Sequence, residues 1–336
     1  MMTSTRYIPD TRLRRLRQTP TLRDMVRETH LSTHDLILPI FVDEGISERQ
    51  PIKSMPGVFR ETEESLTQFL KDSEKNGVKS FILFGVSHHK DDEGTDSMKK
   101  GGLLDRMISR AKDAVPDSLV IGDVCFCEYT DHGHCGPIAE NGDVDNDATI
   151  ENVAKQAIIA AEAGADIIAP SGMMDGQVGA IRAALDESNL GNVPIMAYAA
   201  KFASTYYGPF RDAAGCALGK YEHVAKDRKT YQMDPANAEE AMRETEQDIL
   251  EGADMVMVKP GLAYLDILYR VKSTFKMPTF AYNVSGEYAM LKAASANGWI
   301  DYDTTMMETL LSFKRAGADG ILTYSANDAA KILNDR

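Results

Sequence analysis

Three stretches of the chain have nearly the same sequence, and each lies between a helix-like segment and a strand-like run. Residues 163–166 and 316–319 read Ala-Gly-Ala-Asp, and residues 251–254 read Glu-Gly-Ala-Asp. In each stretch the glycine stands where a helix ends with a residue of positive φ, and an apolar run follows. The repetition indicates a chain built from successive βα units.

Strand-like runs alternate with segments of helical period along the whole chain. We count eight of them, at residues 36–42, 80–85, 119–125, 165–169, 194–199, 254–258, 278–282 and 319–324. Eight βα units close into a barrel, whereas a doubly wound open sheet usually stops at about five or six strands. The sequence therefore predicts an α/β fold: a (β/α)8 TIM barrel over residues 35–336, preceded by an extended N-terminal arm over residues 1–34.

Charge and hydropathy exclude two classes of protein. The net charge of -14 is opposite to the basic face that sequence-independent nucleic-acid binding requires. No run of apolar residues is long enough to span a membrane, and residues 1–17 lack the apolar core of a signal peptide. We therefore expect a cytoplasmic protein that binds neither nucleic acid nor membrane.

The predicted arm is rich in arginine. Between residues 6 and 27 it has only two aspartates against seven arginines, which are Arg6, Arg12, Arg14, Arg15, Arg17, Arg23 and Arg27. In an acidic protein, such an arm is expected to lie against an acidic neighbouring subunit.

Two lysines end apolar runs in the same way. Residues 255–258 read Met-Val-Met-Val before Lys259, and the run at 193–200 is followed by Lys201. An ammonium group at the mouth of a buried strand is partly desolvated, which lowers its pKa and favours the free amine that attacks carbonyl groups. One such lysine is more often a snorkelling side chain with its head in water. Two that face one cavity lower each other's pKa, which favours nucleophilic chemistry.

Catalytic side chains of a (β/α)8 barrel lie at the carboxyl ends of its strands. In this chain, reactive residues end or follow each of the last six predicted strands. They are Asp123, Cys125, Ser171, Lys201, Lys259, Ser285 and Tyr324. We expect one face of the barrel to collect all of them.

The segment 123–136 holds three closely spaced cysteines, Cys125, Cys127 and Cys135. In a reducing compartment, clustered thiolates indicate Zn²⁺ rather than disulfides. Three protein ligands leave one position for water or substrate, as in catalytic zinc sites. His132 and His134 are either candidates for a fourth ligand or hydrogen-bonding loop residues, and reduced cysteines without metal are a further alternative. Cys216 stands apart and is interpreted as a bystander.

The longest irregular segment, residues 202–233, exceeds an ordinary βα loop and is predicted to be a lid. It carries Arg211 and Arg228. Arginine binds carboxylates in a bidentate manner. Solvated loop charge is the simpler interpretation of these arginines alone, but together with the two lysines they favour an acidic small-molecule substrate.

These motifs together closely resemble the porphobilinogen synthase family, also called 5-aminolaevulinate dehydratases, over nearly the whole chain. The resemblance is carried by residues 123–136, 145–149, 169–176, 201–204, 207–211, 228–233, 257–260, 283–288 and 314–319. The family condenses two molecules of 5-aminolaevulinate into the pyrrole porphobilinogen, with loss of two waters, in haem and other tetrapyrrole synthesis.

The resemblance implies roles for individual residues. It implies that Lys259 forms a Schiff base with the first-bound substrate and Lys201 with the second. It implies that Asp123 hydrogen-bonds the amine of the second substrate, and that zinc on the three cysteines holds that substrate as a Lewis acid. The implied substrate-binding residues are Arg211, Arg228 and Gln232 for the second carboxylate, Ser285 and Tyr324 for the first, and Ser171 beside them.

The resemblance also implies a second metal and an assembly. An activating Mg²⁺ is expected at Glu244, although one carboxylate surrounded by water equally suits a solvent-facing helix residue. A homo-octamer is expected, in which the N-terminal arm wraps a neighbouring barrel. The segment 214–226 is longer than the family pattern, which bears on lid closure and on the role of Arg228. The complete set of cysteines predicts a zinc-dependent member.

Two other functions fit parts of the pattern. A class I Schiff-base aldolase needs a single lysine and no metal. A non-catalytic zinc-binding or storage protein needs a closed site of four ligands, for which His134 is a candidate.

Overall fold

The computed structural model describes residues 11–335, and its centre is a barrel of eight parallel strands. In chain order the ten strands of residues 11–335 are β1 (Leu36–Asp43), β2 (Gln50–Pro51), β3 (Phe59–Glu61), β4 (Ser80–Val86), β5 (Leu119–Val124), β6 (Ile167–Pro170), β7 (Met196–Lys201), β8 (Met255–Lys259), β9 (Thr279–Asn283) and β10 (Gly320–Thr323). Two of them, the short strands β2 and β3, lie outside the barrel. The barrel runs in the order β6-β5-β4-β1-β10-β9-β8-β7, and a parallel bridge between Ile168 and Ile195 closes it. The predicted (β/α)8 barrel is confirmed.

Helices surround the barrel and connect its strands. They are α1 (Pro20–Met25), α2 (Glu63–Lys75), α3 (Leu103–Ala114), α4 (Asn146–Glu162), α5 (Gln177–Glu187), α6 (Gly208–Ala214), α7 (Ala238–Leu250), α8 (Leu265–Phe275), α9 (Ser285–Ala296), α10 (Tyr302–Arg315) and α11 (Ala326–Asn334). Short 3-10 turns lie at Leu13–Arg17, Thr33–Asp35, Thr95–Met98, Thr205–Tyr207 and Leu262–Tyr264. None of the helices in residues 11–335 is long and apolar enough to cross a membrane.

The three Gly-Ala-Asp segments make the same hydrogen bond at the end of the barrel where the strands begin. The side-chain Oδ2 of Asp166 accepts a hydrogen bond from the backbone N–H of Val120 at 2.7 Å, the first of three equivalent contacts. The other two join Asp254 to Ile195 at 2.8 Å and Asp319 to Thr279 at 2.7 Å. Each aspartate thus ties the start of its strand to the neighbouring strand, which fixes the register between them.

Two segments differ from the sequence prediction. The hairpin of β2 and β3 was not predicted, because strands of two and three residues are too short to show alternation. The prediction that residues 202–233 are irregular is wrong for its first part, where the 3-10 turn at Thr205–Tyr207 runs into α6. Residues 215–233 are formed of turns and bends, as expected.

The described part of the N-terminal arm lies outside the barrel core. Its two short helices bury no residue, and Leu13 and Met25 leave more than 70% of their surface exposed. Arg6, which belongs to the predicted arginine-rich stretch, lies outside the described residues.

Candidate active site

The two predicted lysines end neighbouring strands of the barrel and face the same cavity. Lys201 on β7 and Lys259 on β8 are partners in the strand register, and each exposes only 5% of its surface. The Nζ atoms of Lys201 and Lys259 lie 5.6 and 4.9 Å from the centre of one ring, that of Tyr198. The structure therefore brings both amines to one place at the carboxyl end of the barrel.

Burial brings the pKa of Lys259 close to neutral pH. Desolvation lowers the pKa of Lys259 from 10.5 to about 7, and the positive charge of Lys201 acts in the same direction. The carboxylate of Asp123 opposes both effects. At neutral pH a large fraction of Lys259 is consequently the free amine. The amine of Lys201 donates a hydrogen bond to the backbone oxygen of Ser171.

An aromatic cage that the sequence analysis missed surrounds the Nζ atom of Lys259. The rings of Tyr282, Tyr198, Phe210 and Tyr207 have their centres at 4.3, 4.9, 5.2 and 5.4 Å. Tyr198 and Tyr282 could have been found, because their hydroxyl-bearing rings stand near the ends of buried strands. Tyr207 and Phe210 come from the lid segment, which carries no such signal.

Asp123 is fully buried between the lysines and the cysteines. Its Oδ2 accepts a hydrogen bond from the Ser171 hydroxyl at 3.0 Å. Burial raises the pKa of Asp123 to about 6, although the charges of Lys259 and Lys201 partly offset it. Within residues 11–335, Asp123 Oδ1 and the Tyr198 hydroxyl are buried without a hydrogen bond of ordinary length, and the two side chains interact with each other.

The three predicted cysteines form one buried cluster beside these groups. The ligand atoms of Cys125, Cys127 and Cys135 all lie within 4.8 Å of one another, and the sulfurs of Cys125 and Cys127 are 3.5 Å apart. Hydrogen bonds from Cys125 and Cys135 lower the pKa of Cys127 to about 7. Three close thiols, one of them easily ionised, fit a soft divalent metal such as zinc.

The two histidines of the cysteine loop have other partners. The ring nitrogens of His134 bond the Tyr231 hydroxyl at 2.9 Å and the Ala225 backbone oxygen at 2.8 Å. His132 uses its ring nitrogens for the Asp92 oxygen and the His134 N–H. Of the two interpretations left open by the sequence, the structure therefore favours hydrogen-bonding loop residues, and the thiol cluster keeps three side chains.

Cys216 is not a remote bystander. It is buried in the segment that follows α6, and its thiol interacts with that of Cys127, outside the triad of ligand atoms. The long segment 214–226 folds back onto the cysteine loop, where the Ala225 oxygen accepts a hydrogen bond from the His134 ring at 2.8 Å. The extra length therefore covers the cysteine loop.

The lid contributes three polar side chains with unused atoms. Arg228 is buried and donates through Nη2 to the backbone oxygens of Gly133 at 2.7 Å and Cys216 at 3.3 Å. Within the described residues, the Nε atoms of Arg211 and Arg228 and both amide atoms of Gln232 are buried without hydrogen-bond partners. The two Nε–H groups and the Nε2–H group of Gln232 are donors available to an acceptor such as a carboxylate, and Oε1 of Gln232 is an acceptor.

The two residues expected to bind the first carboxylate contact the aromatic cage around Lys259. The Ser285 hydroxyl, at the start of α9, accepts from the Phe210 N–H at 3.0 Å and donates to the Tyr206 oxygen. The Tyr324 hydroxyl lies 3.2 Å from that of Tyr282. In this structure Ser285 therefore holds the lid backbone.

Glu244 lies apart from this cavity, on α7. It lines a polar space of about 400 Å³ together with Asp175 and Glu240. Burial raises the pKa of Glu244, and the charges of Asp175 and Glu240 add to the effect. A cation in this space would be surrounded by carboxylate oxygens.

Comparisons with known proteins decide the family. The family model of delta-aminolevulinic acid dehydratase matches residues 10–332. The chain belongs to this family. It is 52% identical over 331 residues to the delta-aminolevulinic acid dehydratase of Synechocystis sp., covering 97% of this chain and 99% of the relative. It is also 52% identical over 324 residues to that of Escherichia coli, covering 96% and 98%. The resemblance found in the sequence is confirmed.

A solved structure of the same family has the same fold. It is the delta-aminolevulinic acid dehydratase (porphobilinogen synthase) of Toxoplasma gondii, in complex with the reaction product porphobilinogen. The two chains superpose with a TM-score of 0.93 at 44% sequence identity, covering 97% of this chain and 92% of the other.

Proposed function

We propose that the protein is a porphobilinogen synthase, which condenses two molecules of 5-aminolaevulinate to porphobilinogen with loss of two waters. The observation that carries the proposal is the pair of buried amines, Lys201 and Lys259, facing one ring beside a cluster of three thiols. Family membership over residues 10–332 supports it. An aldolase of the Schiff-base class would need neither the second lysine nor the thiols.

The first step in this proposal uses Lys259. Its neutral amine attacks the ketone carbon of one 5-aminolaevulinate, and loss of water leaves an imine. The aromatic cage supports this role because it excludes water, which keeps part of the lysine unprotonated. Lys201 forms the corresponding imine with the second substrate. Protonation of an imine makes a neighbouring C–H acidic, so carbon–carbon bond formation becomes accessible near neutral pH.

Asp123 and Ser171 serve the second substrate in this proposal. The charge of Lys201 acts on Asp123, whose buried Oδ1 would accept a hydrogen bond from a substrate ammonium group. Ser171 holds Asp123 in place through its hydroxyl and accepts from Lys201 through its backbone oxygen.

The carboxylates of the substrates require cationic or hydroxyl donors. We assign Arg211, Arg228 and Gln232 to the second substrate, because their buried atoms lack partners within residues 11–335. We assign Ser285 and Tyr324 to the first, with Ser285 exchanging one of its present contacts for the substrate.

We propose two separate metal sites. Cys125, Cys127 and Cys135 would hold a zinc ion, and zinc bound there would supply Lewis acidity and a fixed position for the second substrate. Glu244 would hold an activating Mg²⁺ in the polar space it shares with Asp175. We further propose a homo-octamer built through the arm of residues 1–34, since its exposed Leu13 and Met25 have no cover within the described chain.

The test combines turnover with trapping. Purified protein is incubated with 5-aminolaevulinate, pyrrole is measured colorimetrically with and without a chelator, and borohydride-treated protein is mapped by mass spectrometry. We expect porphobilinogen, its loss with the chelator, and reduced adducts on Lys259 and Lys201. Adducts on neither lysine would refute the proposal, and an adduct on one lysine with no effect of the chelator would favour the aldolase. A zinc-storage protein would bind metal without turnover.

A further inference from the structure

The lid helix α6 depends on contacts from outside its own sequence. It has only seven residues, and helices this short are not stable alone. Its last carbonyl groups have no partners within the helix. It nevertheless places two side chains at the site: Phe210 in the cage around Lys259, and Arg211, whose charge acts on Tyr207 of the same cage.

Arg60 of β3 supplies partners for the carboxyl end of α6. Its Nε donates to the Ala213 oxygen at 2.7 Å and its Nη2 to the Asp212 oxygen at 2.6 Å. The fork of a guanidinium suits two adjacent carbonyl groups, and its positive charge stabilises the carboxyl end of a helix. Asp43, a buried carboxylate at the end of β1, lies 3.7 Å from the remaining nitrogen and orients the fork.

Two further side chains hold the same end of the helix. Lys90, from the loop after β4, donates to the Gly215 oxygen at 2.9 Å. The Ser54 hydroxyl, between β2 and β3, donates to Asp212 Oδ2 at 2.8 Å. Three side chains from two segments, the β2–β3 hairpin and the loop after β4, thus bind the last turn of the lid helix. Arg60 contributes the largest share, because it makes two charge-assisted bonds to the backbone.

The other end of α6 is attached near the chemistry. The Phe210 N–H bonds the Ser285 hydroxyl at 3.0 Å, and its ring packs edge-on against Phe84 at 5.2 Å and against Phe41 at 5.4 Å. The Lys259 amine lies 5.2 Å from the same ring. A helix released at its carboxyl end would leave Phe210 free to move and would admit water to Lys259.

We propose that Arg60 is a positioning residue of the active site, which holds the carboxyl end of α6 and thereby keeps Phe210 over Lys259 and Arg211 at the cavity. Arg60 does not touch the reacting groups and acts through the helix. The inference rests on the proposed function for its kinetic consequences, whereas the anchoring of α6 can be measured without turnover.

Arg60→Ala tests the proposal. We expect KM for 5-aminolaevulinate to rise about tenfold or more, because the cavity with Arg211 is no longer preformed. We expect kcat to change less than about threefold, because bound substrate restores the position of the helix. Hydrogen exchange at the α6 amides should accelerate about tenfold in the free variant and slow again with porphobilinogen bound. Arg60→Lys, which keeps the charge but loses the fork, should be intermediate in both measurements.

Arg49→Ala is the matched control. Arg49 precedes the same hairpin, pairs with Glu61 at 2.7 Å and stacks on the Phe59 ring at 4.0 Å, without a hydrogen bond to α6 in the described residues. It should keep the wild-type KM and the wild-type exchange of α6. Lys90→Ala, which removes a single bond, should raise KM less than Arg60→Ala does.

Three results would overturn the proposal. One is unchanged KM and unchanged α6 exchange in folded Arg60→Ala. The second is a rise in KM for Arg49→Ala equal to that for Arg60→Ala, since the hairpin and not the contact would then be responsible. The third is a lower melting temperature with unchanged KM. Wild-type protein that makes no porphobilinogen would instead refute the proposed function, and hydrogen exchange would still decide whether Arg60 anchors the helix.

Discussion

The two ends of the barrel differ in whether their polar side chains have hydrogen-bond partners within the protein. At the end where strands begin, Asp166, Asp254 and Asp319 make the same hydrogen bond to a neighbouring strand, at 2.7 to 2.8 Å. At the carboxyl end, Asp123 Oδ1 is buried without a partner in the described chain, and Lys259 is buried with a pKa of about 7. The first end satisfies its polar groups, and the second leaves them for a ligand.

This difference has a thermodynamic meaning. A buried polar atom without a partner costs about 1–3 kcal/mol, and a buried charge costs more unless it is paired. Within the described residues such atoms occur on Asp123, Arg211, Arg228 and Gln232, which belong to the proposed site. Substitutions at the carboxyl end should therefore reduce activity with little loss of stability, and substitutions at the other end should do the reverse.

Lys259→Met should have the largest effect on activity of any substitution at the carboxyl end. Loss of the nucleophile should lower kcat by about 10³-fold or more, measured by pyrrole formation. The folded pKa of Lys259 lies below its unfolded value, so the lysine destabilises the fold below about pH 7, and this penalty fades as the pH rises to 10.5. The variant should therefore be at least as stable as wild type at pH 7 in urea unfolding.

Lys112→Met is the matched control from the other end of the barrel. Lys112 pairs with Asp166 at 2.9 Å, at the end of the barrel where the strands begin. It should lose a little stability and keep its activity. Equal loss of activity in the two lysine variants would contradict the division between the ends.

Cys125→Ala should have the next largest effect. Removal of one thiol from the triad should reduce activity about 100-fold or more and reduce the zinc content measured by mass spectrometry. Cys216→Ala is the control, since that buried thiol lies outside the triad and should leave the zinc content unchanged. Normal zinc in Cys125→Ala would show that the metal is bound elsewhere.

The βα units that carry the three Gly-Ala-Asp segments were predictable from sequence, because their signals lie in short stretches of the chain. Each Gly-Ala-Asp phrase makes its contact with the neighbouring βα unit, so a pattern of composition and period is enough. The rule that catalytic residues end strands then located Lys201, Lys259 and Asp123. The roles of these residues came from the family resemblance.

The rest of the site depends on contacts that no local pattern contains. The two ring nitrogens of His134 find partners 97 and 91 residues away, which distinguishes a loop histidine from a metal ligand. The cage around Lys259 needs Phe210, whose position depends on Arg60 about 150 residues earlier through the backbone of α6. Helix α6 itself lacks the length and period that identify a helix in sequence.

The pH dependence of imine formation tests the lowered pKa of Lys259 and the effect of Lys201 on it. With 5-aminolaevulinate and cyanoborohydride, the rate of labelling at Lys259 should fall about tenfold per unit below about pH 7, since only the free amine attacks. The charged groups that act on Lys259 are Lys201, Asp123, Cys127 and Glu128. Lys201→Met removes the one like charge, so the midpoint should move to higher pH. An unchanged midpoint would mean that the two amines do not share a cavity.

Asp254→Ala probes the other end and should have the smallest effect on activity. Asp254 bonds the N–H of Ile195, the residue whose bridge to Ile168 closes the barrel. Loss of this bond leaves a backbone N–H without its partner at the seam, so the free energy of unfolding should fall by about 1–3 kcal/mol. Lys201 lies at the far end of β7, and kcat and KM should stay within about twofold of wild type because the end of β7 that carries Lys201 is held by β8.

Asp303→Ala, on the exposed first turn of α10, is the control for loss of a carboxylate. It should change neither the free energy of unfolding nor the kinetic constants. The opposite outcome is a rise in KM for Asp254→Ala without a lower free energy of unfolding. A change where the barrel closes would then alter the lysines at its other end, and the two ends could not be treated as independent.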